Sequence, residues 1–562
     1  MKLKWFKREV IYQIYPRSFK DSNGDGIGDI KGITSKLDYI KSLNIDIIWI
    51  SPIFESPNKD NGYDVSDYCS IMPEFGTMSD FDELLKEAHN QNLKIVLDLV
   101  PNHTSDEHHW FQEAKTSKDN PYRNYYIWKT PKSDGGPPNN WPSFFSGSAW
   151  TLDDNTGEYY LHLFTKHQPD LNWENPKVRE SIYEVMRFWL DKGIDGFRMD
   201  VVTLLSKEFK DIAADTGFRK VIEDYYANGP KIHEYLNEMN EKVMTHYDAF
   251  SMGEGVGVNQ DNAHLYVAED RKELDMIYHF DILENNIVNG KYDDITSFDL
   301  LNVKKIFRNW QKVMDNGGWI ANALGNHDFA RLVSRFGDDG KYREASAKML
   351  ITLMATQNGT LNIYQGDEIG MTNIDLKSID EVNDIQSINF YNENLKSKKF
   401  TPDEALQMIN NEGRDNARTP MQWNTENNAG FTNQNPWLQV NPNYTTINVE
   451  SQIEDKNSIL NYYRKILALK RENAVFSYGT LKEIEKENKH VFAYQKVSKD
   501  KDILVFLSFS KNENVIDYEF DYKKDYVMLI NNYSFVTKTI ESLTLQPYQS
   551  VIFEIKNKSN HV

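Results

Sequence analysis

The chain has 562 residues, with 64 basic side chains against 84 acidic ones, a net charge of −20 and a single cysteine, Cys69. A chain this acidic is not built to neutralise phosphates or dock on anionic lipid, so nucleic acid and membrane surfaces drop out as default partners. One thiol excludes an internal disulfide framework and any CxxC-type zinc or redox site. No apolar run approaches the ~18 residues of a membrane span, and the opening MKLKWFKREVIYQIYPRSF has no small-residue cleavage site, so a cytoplasmic enzyme is expected. Aromatics at 13% offer stacking faces that suit sugars and bases alike, and the acidic charge disfavours the bases.

Taken in chain order, eight short apolar runs alternate with amphipathic segments: VIYQIYPRSF from 10, IDIIWISPIF from 45, LKIVLDLVPNH from 93, GIDGFRMDVV from 193, AFSMGEG from 249, DMIYHFD from 275, WIANALGNHD from 319 and LNIYQGDEIG from 361. Ile30, Ile33, Leu37, Ile40 and Leu43 keep the spacing of one helical face between the first two runs; VRESIYEVMRFWLDKG and REASAKMLITLMATQNG do likewise later. Repeated βα units of this kind predict an α/β chain folded as a (β/α)8 TIM barrel. Polar residues gather at the C-terminal ends of several runs (VPNH, FRMD, GEG, GNHD), where such a barrel builds its active site. An open doubly wound sheet would want a Gly-rich phosphate fingerprint after its first strand, and none is present.

Two stretches break the rhythm. Residues 104–175, rich in Pro, Gly, Trp and Asn, are too long for a βα loop and predict a domain inserted after strand 3, overhanging the mouth. A second excursion, from Met371 to about Trp423, predicts another wall of that mouth. After ILNYYRKILALKREN the texture turns to VFAYQKV, ILVFLSFS, NVIDYEF, YVMLINN and SVIFEI, a C-terminal antiparallel β domain. The predicted organisation is a barrel over 1–103 and 176–478, the insert over 104–175 and the β domain over 479–562.

Arg198 and Asp200 stand two apart in GFRMD, so on a strand both point into the mouth, and a fixed cation keeps a carboxylate ionised and oriented as a nucleophile must be. A structural ion pair reads equally well from those two residues alone. Glu254, flanked by glycines that give a ligand close access, ends the fifth run, and Asp328 ends the seventh beside His327. Three carboxylates converging on one mouth push at least one pKa upward, so that one donates a proton while another stays ionised, the division of labour of glycoside hydrolysis. A divalent cation held by these carboxylates with His103 and His327 is the competing account, and Arg198 inside the cluster opposes it. In DSNGDGIGD, residues 21–29, oxygen-bearing side chains alternate around glycines as in calcium loops, without the twelfth-position Glu of an EF-hand; an Asx-rich turn is the plainer alternative.

DLVPNHTS at 98–105, GFRMD at 196–200, GE at 253–254 and GNHD at 325–328 resemble the four signature regions of the α-amylase family of glycoside hydrolases. QPDLNW at 168–173, RDNARTPMQW at 414–423 and the opening YQIYPRSF resemble its oligo-1,6-glucosidase branch, which includes sucrose isomerases, dextran glucosidases and trehalose-6-phosphate hydrolases. The resemblance implies Asp200 as nucleophile, Glu254 as general acid/base and Asp328 as transition-state stabiliser. It implies that Asp64 and Arg418 hold sugar hydroxyls, that His103, His327 and Arg198 donate to the same glucosyl unit, and that Tyr63, Phe145 and Phe164 wall the pocket with Gln168 at its rim. It also implies that Asp21, Asn23, Asp25, the Ile27 carbonyl and Asp29 surround a structural calcium ion, with magnesium as the alternative. No organic cofactor is expected, and the expected partner is a small oligosaccharide, met by a monomer or weak homo-oligomer.

Val201, after the nucleophile, accompanies α-1,6 cleavage in this branch, and a β-branched wall beside the aglycone would disfavour an α-1,4-linked unit. The run after the acid is GVGVNQ, with no added cation for a phosphate, and FDILENNIVNG stands where sucrose isomerases carry an arginine-rich loop. Hydrolysis is therefore expected over isomerisation, with an α-1,4-glucosidase or a sucrose- or trehalose-type enzyme as alternatives. Phe329-Ala330 departs from the family's polar residue followed by proline. The non-catalytic members that accompany amino-acid transporters lose the carboxylates and gain an anchor, and this sequence does neither.

Overall fold

The structure, a computed structural model, describes residues 4–284, 298–521, 523–539 and 541–557. All eight predicted runs form strands: β1 (Val10–Ile14), β2 (Ile47–Ile50), β3 (Lys94–Leu99), β4 (Gly196–Met199), β5 (Phe250–Glu254), β6 (Met276–Tyr278), β7 (Ile320–Asn322) and β8 (Thr360–Tyr364). They pair in parallel, each with its neighbours in sequence, and β8 closes on β1.

Alternation along the strands sorts side chains into two layers. Val10, Tyr12 and Ile14 join the large cluster between sheet and helices, whereas Ile11, Ile47, Trp49, Val96, Met252, Met276 and Tyr278 fill the barrel interior. Each such apolar side chain fully buried contributes about 1.5–3 kcal/mol. The same inward parity continues upward through Gln13, Asp98, Arg198 and Glu254, so the packed floor gives way to charged groups at the C-terminal ends.

Helices Pro176–Lys192 and Arg343–Thr356 form as their periodicity predicts, the first ended by Gly193 in the left-handed region at φ 104°. The face from Ile30 to Leu43 is buried throughout, but its helix breaks into Ile30–Thr34 and Leu37–Ser42. The Thr34 and Ser35 hydroxyls donate to the carbonyls of Ile30 and Gly32, side-chain bonds that compete with a continuous ladder.

Between β3 and β4 the excursion contains a three-stranded antiparallel sheet of Trp128–Lys129, Trp150–Asp153 and Glu158–Leu161. The second excursion supplies helices Ile385–Ser397 and Pro402–Glu412. From Thr480 onward the chain forms a five-stranded antiparallel sheet packed with a three-stranded one through Val491, Leu504, Phe506, Leu543 and Phe553. Among the described residues no helix is long and apolar enough to cross a membrane.

Candidate active site

Arg198 is fully enclosed and holds three carboxylates. Its Nη1 lies 2.9 Å from Asp98 Oδ1 and 2.7 Å from Asp200 Oδ1, and its Nη2 lies 2.9 Å from Glu254 Oε1. Asp98 is tied down from its other side by Tyr63 Oη at 2.9 Å and Trp49 Nε1 at 3.2 Å. The cation serves the whole cluster, which is more than the ion pair with Asp200 that spacing suggests.

Asp200 and Glu254 are held by the two terminal nitrogens of the same guanidinium; burial, then the charge of Glu254, drive the Asp200 carboxyl well above the usual range against the pull of Arg198. Val201 follows in the left-handed region, at φ 35° and ψ 38°, and its N–H donates to Glu254 Oε2 at 2.8 Å. The glycines beside Glu254 answer to packing as well as to ligand access, for Gly255 lines the cavity. A Cβ at Gly253 would meet Leu274 at 2.5 Å and Val202 at 2.9 Å, and one at Gly255 would meet Ile277 at 2.8 Å.

Asp328 joins from the loop that follows β7 and not from the strand end itself, with Arg418 Nη2 at 3.0 Å and Arg414 Nη1 at 3.3 Å from its Oδ1, and His327 Nε2 at 3.2 Å from its Oδ2. His327 stacks face to face with Tyr63 at 5.2 Å, and burial pushes its pKa down to about 3. His103 is likewise brought to about 4 by burial, so both imidazoles are neutral at neutral pH.

A cavity of about 440 Å³ opens over these groups. Asp200, Val201, Glu254, Asp328, Tyr63, His103, Phe145, Phe164 and Gln168 line it, as the sequence leads one to expect. Gln168 is fully buried in the wall and not at the rim, its Nε2 donating to Asp60 Oδ2 at 3.1 Å. Arg198 and His327 stand behind the lining.

Two expected sugar-holding residues are replaced by neighbours four positions earlier. Asp64 is enclosed, and its oxygens accept from the Ser56 hydroxyl and the N–H groups of Lys59 and Asp60. It braces the loop, and Asp60 lines the cavity instead. Arg418 does not reach the cavity either; it braces Asp328 and the His327 carbonyl from behind. The cation that lines the cavity beside Asp60 is Arg414, 3.2 Å from Asp60 Oδ1 and bonded to Asp384.

Sequence reasoning also missed Asp98 and Phe144. Asp98 has a readable signal, the inward parity it shares with Val96, whereas Phe144, stacked on Phe164 at 4.9 Å, has none beyond lying next to Phe145. Farther out, Phe218, Ile222, Phe280, Phe329 and Phe390 form an apolar wall, edged by Glu223, Asp281, Glu284 and Glu393. The departing pair thus divides: Phe329 is on that wall, while Ala330 is buried. The FDILENNIVNG stretch lies outside the described residues from position 285 on.

In the 21–29 loop, Asp21 accepts the N–H groups of Asn23, Gly24 and Gly26 and the Thr432 hydroxyl, and Asp29 caps the helix that starts at Ile30. Asp25 accepts from Ile27 N–H and the Asn23 amide. Among the described residues no three acidic, histidine or cysteine side chains converge as a metal-holding group. The donor set of the loop, oxygen only with three carboxylates in nine residues, suits a hard divalent cation.

Residues 13–479 match the Alpha-amylase family, catalytic domain. The chain is 50% identical over 559 residues to an oligo-1,6-glucosidase of Bacillus cereus, covering 99% of this chain and 100% of that one. A crystal structure of trehalose-6-phosphate hydrolase from Bacillus licheniformis superposes with a TM-score of 0.93 at 44% identity, covering 98% of this chain and 100% of that chain. Isomaltulose synthase from Klebsiella sp. LX3 does so with a TM-score of 0.95 at 42% identity, covering 99% and 100%. Three carboxylates at the ends of β4 and β5 and in the loop after β7, on a closed parallel barrel matched over this length, place the chain in the α-amylase family of glycoside hydrolases.

Proposed function

We propose that the chain is a retaining, exo-acting α-glucosidase that hydrolyses terminal non-reducing α-glucosyl residues of short oligosaccharides and prefers α-1,6 bonds. The observation that carries the reading is that Asp200 and Glu254 line one cavity while held by a single guanidinium, Arg198 Nη1 at 2.7 Å from the first and Nη2 at 2.9 Å from the second. One guanidinium gathering both carboxyls suits the pair about 5–5.5 Å apart of a retaining enzyme better than the acid and base of an inverting one, which stand about 6.5–9.5 Å apart to admit a water. With a sugar bound, Glu254 gives a proton to the glycosidic oxygen as that bond breaks, and Asp200 forms the bond to the anomeric carbon. Glu254, now ionised, takes a proton from water, whose oxygen displaces Asp200 and restores the pair. Asp328, braced by Arg418 and Arg414, faces the positive charge that develops on the sugar ring.

The deep end supports exo action. Asp60, Arg414, Gln168, His103 and Tyr63 enclose a compact polar space fit for one terminal sugar, with Phe164 against His103 at 5.1 Å. The 50% identity to an oligo-1,6-glucosidase and the Val201 side chain on the cavity wall support the linkage. A phosphorylated aglycone is disfavoured. Among the described residues the outer cavity carries four carboxylates, and its guanidinium, Arg219, is engaged by Asp281 at 2.9 Å and Glu223 at 3.3 Å.

The 21–29 loop is proposed to bind calcium, or magnesium, through Asp21, Asn23, Asp25, the Ile27 carbonyl and Asp29. The ion would staple the loop after β1 and take no part in the chemistry.

The deciding experiment is a panel of isomaltose, maltose, sucrose, trehalose and trehalose-6-phosphate. Glucose release fastest from isomaltose supports the proposal. Fastest turnover of trehalose-6-phosphate, or conversion of sucrose to an isomer in place of hydrolysis, overturns it.

A further inference from the structure

Gln13 is an amide among apolar side chains. It lies on the inner face of β1 above Ile11, fully buried, and nothing in the catalytic scheme so far calls on it. Its Nε2 is 2.8 Å from His327 Nδ1 and 3.2 Å from the Ser51 hydroxyl, while its Oε1 has no hydrogen-bond partner. A buried amide that leaves its oxygen orphaned costs about 1–3 kcal/mol, so the bond at its other end has something to offset.

That bond determines which nitrogen of His327 carries the proton. The ring is fixed in place: Tyr63 stacks on it at 5.2 Å with planes 1° apart, Tyr15 at 5.8 Å and 17°, and Trp49 meets it edge-on at 6.3 Å. The imidazole is neutral and has one N–H to place. An amide NH₂ only donates, so facing it Nδ1 must be the acceptor, and the proton belongs on Nε2. Nε2 is 3.2 Å from Asp328 Oδ2 yet makes no aligned hydrogen bond, and is a buried donor without a partner. The reverse arrangement, with the amide turned over and the proton on Nδ1, would set the Nε2 lone pair against the Asp328 carboxylate.

We propose that Gln13 is a positioning residue: it fixes His327 as the Nε2–H tautomer, so that a donor and not a lone pair faces the Asp328 carboxylate from behind the cavity lining. The role rests on the glycosidase reading of the site, but its physical core, the tautomer, is independent of any substrate.

The test is ¹⁵N NMR of ¹⁵N-histidine-labelled enzyme at pH 7, with His327 picked out of the 13 histidines by difference against His327→Gln. The wild type should show His327 Nδ1 as the unprotonated nitrogen. In Gln13→Leu the ring should become a mixture of tautomers, and kcat/KM for an aryl α-glucoside should fall roughly three- to tenfold, the kinetic equivalent of one hydrogen bond. Gln13→Met, equally long and without a donor, should behave alike if Gln13→Leu packs badly. A wild-type His327 protonated on Nδ1 overturns the proposal. So does a Gln13→Met enzyme that loses thermal stability but keeps the wild-type tautomer and kcat/KM, because that marks a packing role alone. Failure of glucoside turnover in the wild type would sink the glycosidase reading and leave the tautomer result standing.

Discussion

The main-chain N–H of Val201 donates to Oε2 of Glu254 at 2.8 Å, and it does so from a left-handed backbone, φ 35°, that β-branched residues avoid. Strain of that kind costs about 1–3 kcal/mol and persists where the surrounding structure enforces it. Here it turns the chain straight after Asp200, aims a donor at Glu254, and leaves the Val201 side chain on the cavity wall. One residue thus joins the proposed catalytic pair to the cavity wall.

Val201→Thr keeps the turn and the N–H and changes one face of the wall. One apolar contact supplies about 1–3 kcal/mol, so the wild type should prefer isomaltose over maltose by roughly ten- to two-hundredfold in kcat/KM. The ratio should shrink in Val201→Thr. A wild type that cleaves maltose faster transfers the decision to Phe329, which lines the same cavity.

Asp200→Ala should abolish turnover and leave the thermal melt cooperative. Glu254→Gln should lose about 10²–10⁴-fold on an unactivated disaccharide, less on an aryl glucoside, with azide restoring part of the second step. Following the first-formed sugar by NMR should show α-glucose; β-glucose would mean inversion.

Asp60 and Asp64 separate by their readouts. Asp60→Asn removes the carboxylate that Arg414 and Gln168 hold at the cavity, and should raise KM with little change in melting temperature. Asp64→Ala orphans two backbone N–H groups and the Ser56 hydroxyl, and should destabilise the fold by about 1–3 kcal/mol per buried group left unpaired, seen in denaturant unfolding.

A cation bound to the 21–29 loop only in the folded state should stabilise it by mass action. EDTA should then lower the melting temperature and calcium restore it, and Asp25→Ala should abolish the response. An unchanged melt in EDTA, with no calcium in the protein by elemental analysis, would leave an Asx-rich turn.

His279 lies against Trp310, ring centroids 4.1 Å apart, and burial lowers its pKa to about 4. Between that value and its unfolded value near 6.5 the unfolded chain binds a proton the folded one refuses, so stability is lost as pH falls through this window. The slope is about 1.4 kcal/mol per pH unit. His279→Phe should therefore gain roughly 2 kcal/mol on the wild type between pH 7 and pH 5, read from paired denaturant unfolding curves. Parallel curves at the two pH values would mean that His279 titrates normally.

The local pattern was sufficient for the barrel and for the three carboxylates. Each β run is short, apolar and polar-tipped, and strand alternation alone sends Arg198, Asp200 and Glu254 inward; the same rule, applied to β3, finds Asp98. It was not sufficient where the chain turns. Asp60 and Asp64 are both acids of one short loop, and left-handed residues at Asn58, Asn61 and Gly62 direct the first to the cavity and fold the second into the loop. Arg414 and Arg418 lie one helical turn apart beside Asp328, and which of them reaches the substrate depends on where Asp60 and Asp384, distant in sequence, come to rest. The proton on His327 depends on an amide 314 positions away. Periodicity is a property of neighbouring residues and survives in the sequence; the partner of a buried charge is a property of closure, which brings together groups that no local rule connects.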